Sequence, residues 1–240
     1  MAGTKKATGT LALLGGGEWQ EPYRDLDGML LAMAHATEVL VLPAAAAFEH
    51  PARVVERATA WFADLGAEVV GLGVVNRRDA EQADVAKRAR DARFIYIADG
   101  SPLHLRSVLK ASALYDAIVK AYYGGAVVAA SGAAATLLCD PMVDPRGGAY
   151  TVGLGLVGGV AVFPYHGQTA DHLRERSVEL LPSDATLIGL DEHTALLRLE
   201  SGAWHVEGAG AATVYRRDAD TRELRAGDVV DLAPASERQR

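Results

Sequence analysis

The 240-residue sequence contains a single cysteine, Cys139, which excludes a disulfide framework and any cysteine-rich zinc site. A reducing, cytoplasmic compartment is the resulting expectation. Basic charge is also short: 24 Lys+Arg stand against 31 Asp+Glu, the net charge is −7, and the longest basic runs are pairs such as Lys5-Lys6 and Arg77-Arg78. Phosphate backbones are held by clustered cations, so nucleic acid is not an expected partner. Long hydrophobic runs are missing as well. The apolar stretch Leu11 to Leu14 stops at Gly15-Gly16-Gly17, far short of the ~20 residues of a spanning helix and short of a secretory core. No membrane partner is expected.

What is present is a chain that is 50% hydrophobic and long enough to bury a core without crosslinks. Short apolar runs recur at Leu11-Leu14, Val39-Leu42, Val69-Leu72, Phe94-Ile97, Val127-Ala130, Val160-Phe163 and Leu187-Leu190. They read as strands buried on both faces. Helical patterns separate them: Pro51 to Leu65, with Val54, Ala58, Trp61, Phe62 and Leu65 on one face, then Asp79 to Asp91, Ser107 to Tyr122 and Asp171 to Glu179. The βαβ order predicts an α/β fold with a mainly parallel sheet flanked by helices. After Leu190, short alternating pieces broken by Ser201-Gly202, Gly208-Ala209-Gly210 and Ala226-Gly227 read as hairpins, an antiparallel extension of the same domain. One domain over residues 9–232 is expected, with flexible tails at 1–8 and 233–240.

The run Val127-Val128-Ala129-Ala130-Ser131-Gly132-Ala133-Ala134 carries an apolar strand into a serine among tiny residues and then into a helix. A nucleophile elbow has this layout, because strand and helix approach closely around an exposed hydroxyl. An N-cap serine opening a tightly packed helix fits the same residues equally well. Of the seven histidines, His166 ends the strand Val160 to Tyr165 at the carboxyl edge, where α/β sheets bind ligands. The carboxylate that would orient it is drawn from Asp191-Glu192, after the strand Thr186 to Leu190, or from Asp140 and Asp144 beyond the elbow helix.

Leu13-Leu14-Gly15-Gly16-Gly17-Glu18, the elbow at Ser131, His166 after its strand, and Gly189-Leu190-Asp191-Glu192-His193-Thr194 occur in a familiar order. From about Gly9 to Leu232 the chain resembles the serine peptidases that include cyanophycinase and aspartyl dipeptidase (peptidase E). The resemblance implies a fold like that of class I glutamine amidotransferases, with serine in place of the cysteine nucleophile. It also implies hydrolysis of a small peptide or isopeptide bond, aspartyl-type or cyanophycin-like, through an acyl-enzyme and without metal or other cofactor. By the same resemblance Ser131 is the nucleophile, His166 the base and Glu192 the acid. Backbone donors at Gly100 and Gly132 hold the oxyanion, Ser101 lies beside them, and Gly16 and Gly17 shape the crevice. A small peptide substrate is the expected partner, and a homodimer is left open. Two departures stand out. The family elbow usually reads Gly-x-Ser-Ala-Gly where this chain has Ala129-Ala130-Ser131-Gly132-Ala133, and the loop Asp99 to Pro102 usually carries a second glycine and an Asn or Asp.

Other classes compete. An esterase of the α/β-hydrolase type would order its triad Ser131, Asp140 or Asp144, then His166, but Gly-x-Ser-x-Gly is absent. A dinucleotide fingerprint starting at Gly15 fails at its sixth position, Gln20. A glutaminase would need a cysteine at the elbow, and Cys139 lies eight residues on, ~12 Å along a helix. A relative that keeps the scaffold as a small-molecule or peptide binding protein without the chemistry is the main non-enzyme alternative.

Overall fold

The computed structural model describes residues 8–217 and 219–232. The expected tails, 1–8 and 233–240, therefore lie outside the described residues apart from Thr8.

Burial on both faces decides the central strands. In β1 (Leu11–Leu14), Leu11 and Leu13 enter one core cluster while Ala12 and Leu14 enter another on the opposite face. The chain then runs α1 (Arg24–Ala34), β2 (Glu38–Leu42), α2 (Pro51–Asp64), β3 (Glu68–Gly71), α3 (Ala83–Asp91), β4 (Phe94–Ile97), α4 (Pro102–Leu109), α5 (Ala113–Tyr122), β5 (Val127–Ser131) and α6 (Ala133–Leu138). Four short strands follow, β6 (Cys139–Asp140), β7 (Met142–Val143), β8 (Tyr150–Thr151) and β9 (Val157–Gly158). The remainder is β10 (Val160–Phe163), α7 (Asp171–Glu179), β11 (Thr186–Leu190), β12 (Thr194–Arg198), β13 (Trp204–Gly208), β14 (Ala212–Tyr215), β15 (Arg222–Leu224) and β16 (Val229–Val230).

The larger sheet has the order β16-β13-β12-β1-β5-β4-β2-β3, parallel from β1 to β3 and antiparallel through β12, β13 and β16. The α/β class with a mainly parallel sheet is as expected, but β10 and β11 leave that sheet. They form the parallel centre of a second one, β15-β14-β11-β10-β6-β9. After α6 no long crossover helix carries the chain back to β5; it crosses through β6 to β9, and Val160 of β10 pairs with Asp140 of β6. The C-terminal hairpins are shared between the sheets, with β14 and β15 on the second. One core cluster joins both sheets, containing Leu13 and Val128 of the first and Val162 and Ile188 of the second.

The helix expected over 107–122 is two helices. Ala111 takes a φ of 55° and the Ser112 hydroxyl accepts from the Tyr115 N–H at 3.0 Å, so the chain stops and starts again within three residues. The carboxyl ends of β1, β4 and β5 converge with those of β10 and β11, and the loops leaving them build the site.

Candidate active site

Strand β5 continues through Ser131, whose partner across the sheet is Leu14, so the turn into α6 falls on Gly132. Gly132 has φ 49° and ψ −108°, a combination closed to ordinary L-residues and open to glycine. In a nucleophile elbow the reactive side chain is carried by the strained residue between strand and helix. Here that residue is Gly132, not Ser131. Ser131 is fully buried, and its hydroxyl donates to Oε2 of Glu18 at 2.8 Å. Glu18 follows the triple glycine after β1 and is buried too. Burial first, and the nearby Asp99 charge second, push its carboxyl above the usual range.

A β-carbon on Gly132 would collide with the carboxylate of Asp99. Asp99 Oδ1 accepts from the backbone N–H of Ala133 at 2.7 Å and of Gly100 at 2.6 Å, and the Tyr165 hydroxyl donates to Oδ2. Two converging backbone donors are the arrangement that holds an oxyanion, and in this protein a carboxylate side chain fills it. The Gly100 N–H is thus one of the two donors that this carboxylate occupies. The Gly132 N–H instead donates to the Leu14 carbonyl at 3.0 Å, within the strand ladder, and Ala133 supplies the second donor. Gly100 also permits a close approach, since a β-carbon there would collide with the Ala45 carbonyl. Ser101 caps α4, its hydroxyl accepting from the His104 N–H at 3.3 Å. Gly16 lies against the Tyr165 ring and Gly17 against His193 and Glu192, so this turn does wall the crevice.

His166 follows β10 and packs its ring on Gly189 of β11. Its Nε2 meets the Tyr215 hydroxyl at 2.8 Å and its Nδ1 lies 3.5 Å from Asp191 Oδ1. Burial pushes the imidazole below its ordinary value; Asp191 opposes this and Arg174 adds to it. Glu192 comes off the same strand end, but its carboxylate accepts from the Gln168 amide. The structure therefore brings His166 together with Asp191 and Tyr215, and Ser131 together with Glu18. Among the described residues no hydrogen bond links Ser131, His166 and Glu192 to one another. Asp140 accepts from the Gly153 N–H at 3.3 Å and Asp144 pairs with Arg146, and among the described residues neither is hydrogen-bonded to Ser131 or His166. Burial pushes the Cys139 thiol up, in keeping with a packed core residue.

The reading from sequence missed Asp99, Tyr165 and Tyr215 as site residues and noted Glu18 only as the end of a motif. Their signal was position: Tyr215 ends β14, and Asp99, Tyr165 and Glu18 lie in the loops that leave β4, β10 and β1. Beside Asp99 lies a cavity of about 230 Å³ whose lining includes Tyr165, Thr136, Phe163 and Leu173. Among the described residues, no group of three or more His, Cys, Asp or Glu could hold a metal ion, and no helix is long and apolar enough to cross a membrane.

Known proteins give this geometry a context. No curated protein matches the chain. Among solved structures, it is similar to a peptidase from an acI-B1 Actinobacterium, with 25% identity and a TM-score of 0.86 over 95% of this chain and 98% of that one. A putative peptidase E protein from Listeria monocytogenes EGD-e shares the fold, with 16% identity and a TM-score of 0.58 over 92% of this chain and 100% of that one. The model of peptidase family S51 matches residues 11–205. Family and neighbours support a peptidase, a hydrolase by class. With most of its length under that match, the chain belongs to peptidase family S51.

Proposed function

We propose that this member of the peptidase family binds a short peptide in the crevice beside Asp99 and Tyr165 and does not acylate itself at the elbow. One observation carries the reading: the elbow residue is Gly132, and the space for its side chain is filled by the Asp99 carboxylate. Acyl transfer needs a nucleophile on the strained turn and two open N–H donors for the developing oxyanion. In this chain the turn has no side chain and both donors, Gly100 and Ala133, are engaged by Asp99. The remaining parts of the crevice still suit recognition of a small ligand, with an apolar wall and a few convergent polar groups.

A second reading is favoured by the family match and by the place of Ser131, one residue before the turn. In it the protein is a serine peptidase acting on an aspartyl-type dipeptide. His166 takes the Ser131 proton, Ser131 attacks the carbonyl, backbone donors near Gly100 and Gly132 hold the oxyanion, and Glu192 orients His166. Water then cleaves the acyl-enzyme. This requires Ser131 to leave Glu18 and come out of full burial, and Asp99 to leave its donors.

Fluorophosphonate labelling of the pure protein, together with a panel of α- and β-aspartyl dipeptides assayed for both binding and hydrolysis, separates the two. Binding without labelling or turnover is expected. Stoichiometric labelling at Ser131, with turnover that Ser131→Ala abolishes, would replace the first reading by the second.

A further inference from the structure

Resting on the peptide-binding reading, we propose that the cavity beside Asp99 takes a primary ammonium group carried next to a carbonyl and a compact apolar body, the chemistry of a peptide's first residue.

Three observations converge. Asp99 is the one charged residue in the cavity lining, and among the described residues no cation pairs with it. A carboxylate offers about four lone-pair sites, and Gly100, Ala133 and Tyr165 take three of them. One acceptor site is left for a charged donor, and a charge-assisted bond to an ammonium is roughly twice as strong as a neutral one. The second observation is Thr136, which lines the same cavity, is only 3% exposed and has an Oγ1 without a hydrogen-bond partner among the described residues. A buried hydroxyl without a partner is costly, and a ligand carbonyl would relieve it by accepting its proton. The third is shape and polarity. Val143, Pro145, Phe163, Pro164 and Leu173 make an apolar wall, and about 230 Å³ is below the ~300 Å³ at which ordinary ligand pockets begin. One compact side chain fits; an extended ligand does not.

The carboxylate also selects by sign. A carboxylate-headed ligand would face Asp99 with no cation in the lining to offset the repulsion.

Calorimetric titration tests this with leucinamide, N-acetyl-leucinamide, isopentylamine and the dipeptide Leu-Gly on the whole protein. Leucinamide and Leu-Gly are expected to bind, with N-acetyl-leucinamide at least tenfold weaker. Asp99→Asn should weaken leucinamide at least tenfold. Thr136→Val should weaken leucinamide several-fold and leave isopentylamine, which has no carbonyl, unchanged. Leu173→Trp, which fills the cavity and leaves the Asp99 side chain in the protein, should abolish binding of all four, so the proposal does not depend on Asp99→Asn folding. Equal binding of leucinamide and its N-acetyl form would overturn the ammonium assignment while leaving peptide binding intact. Binding of leucinamide with rejection of Leu-Gly would keep the ammonium site, identify a free amine as its ligand and defeat the peptide reading. No binding of any probe would overturn both.

Discussion

The Ser131 hydroxyl and the Glu18 carboxyl form a buried hydrogen bond of 2.8 Å that ties the end of β5 to the loop after β1. The bond gives Ser131 a structural task. Ser131→Ala is expected to cost about 1–2 kcal/mol of stability, because it deletes the bond and leaves Glu18 short of a partner. Affinity for peptide ligands should be unchanged. Thermal melting and titration of the variant check both; a stable variant that has lost ligand or turnover would place Ser131 in the chemistry instead.

Gly132 and Asp99 compete for one volume. Gly132→Ser should destabilise by about 1–3 kcal/mol, from a side chain forced into a backbone conformation reserved for glycine and from collision with the carboxylate. Asp99→Gly removes the collision and reopens the donors on Gly100 and Ala133. The double variant should therefore be more stable than the sum of the two single changes, with a coupling of about 1 kcal/mol or more in a double-mutant cycle. Additive single effects would show that the two positions do not share space.

How far this site could be read from sequence depends on one ambiguity. The strands buried on both faces were legible because their apolar runs have no other use, and Leu11–Leu14, Phe94–Ile97 and Val160–Phe163 match to the residue. The elbow was legible as a region but not in register. Ala129, Ala130, Ala133 and Ala134 flank Ser131 and Gly132 alike with small residues, so spacing cannot say which of the two occupies the turn. The backbone decides it, since a positive φ is taken by glycine at least cost. His166 and Glu192 were placed correctly at neighbouring strand ends, yet which carboxylate meets the imidazole depends on side-chain direction, which a one-residue step reverses. Helix α1 was missed, with Gly28 in its middle and Arg24, Asp25 and Asp27 in its opening turns weakening the apolar pattern.

Stability should fall with rising pH through a buried carboxyl of α1. Asp27 is fully buried, its Oδ2 accepts from the Trp61 indole at 2.8 Å, and its Oδ1 has no partner among the described residues. Burial pushes its pKa up to about 7 from an ordinary 3.8. Between those values the folded chain keeps a proton that the unfolded chain releases, so stability is greatest below the lower value and declines until pH passes about 7. Glu18 shifts in the same direction. Asp27→Asn should remove much of this decline and raise stability at pH 8 by a few kcal/mol, measured as the difference in melting between variant and parent across pH 4 to 8. An identical pH profile in both proteins would rule Asp27 out as its source.

The last prediction concerns which acid sets the state of His166. Nδ1 of His166 lies 3.5 Å from Asp191, whose charge raises the imidazole pKa, while burial and Arg174 lower it and win. Glu192, the acid expected from the family resemblance, is engaged by Gln168. Asp191→Asn should therefore drive the His166 titration further below the ordinary imidazole value, because the opposing carboxylate is gone and burial remains. Glu192→Gln should move it much less. Tyr215→Phe removes the hydroxyl at Nε2 but keeps the aromatic ring against the imidazole, so burial remains and His166 should stay below the ordinary value. Following the imidazole proton resonances by NMR in the three variants reads all of these directly. A His166 shift larger in Glu192→Gln than in Asp191→Asn would show that Glu192 turns to the imidazole in solution, which is the arrangement that the serine-type reading requires.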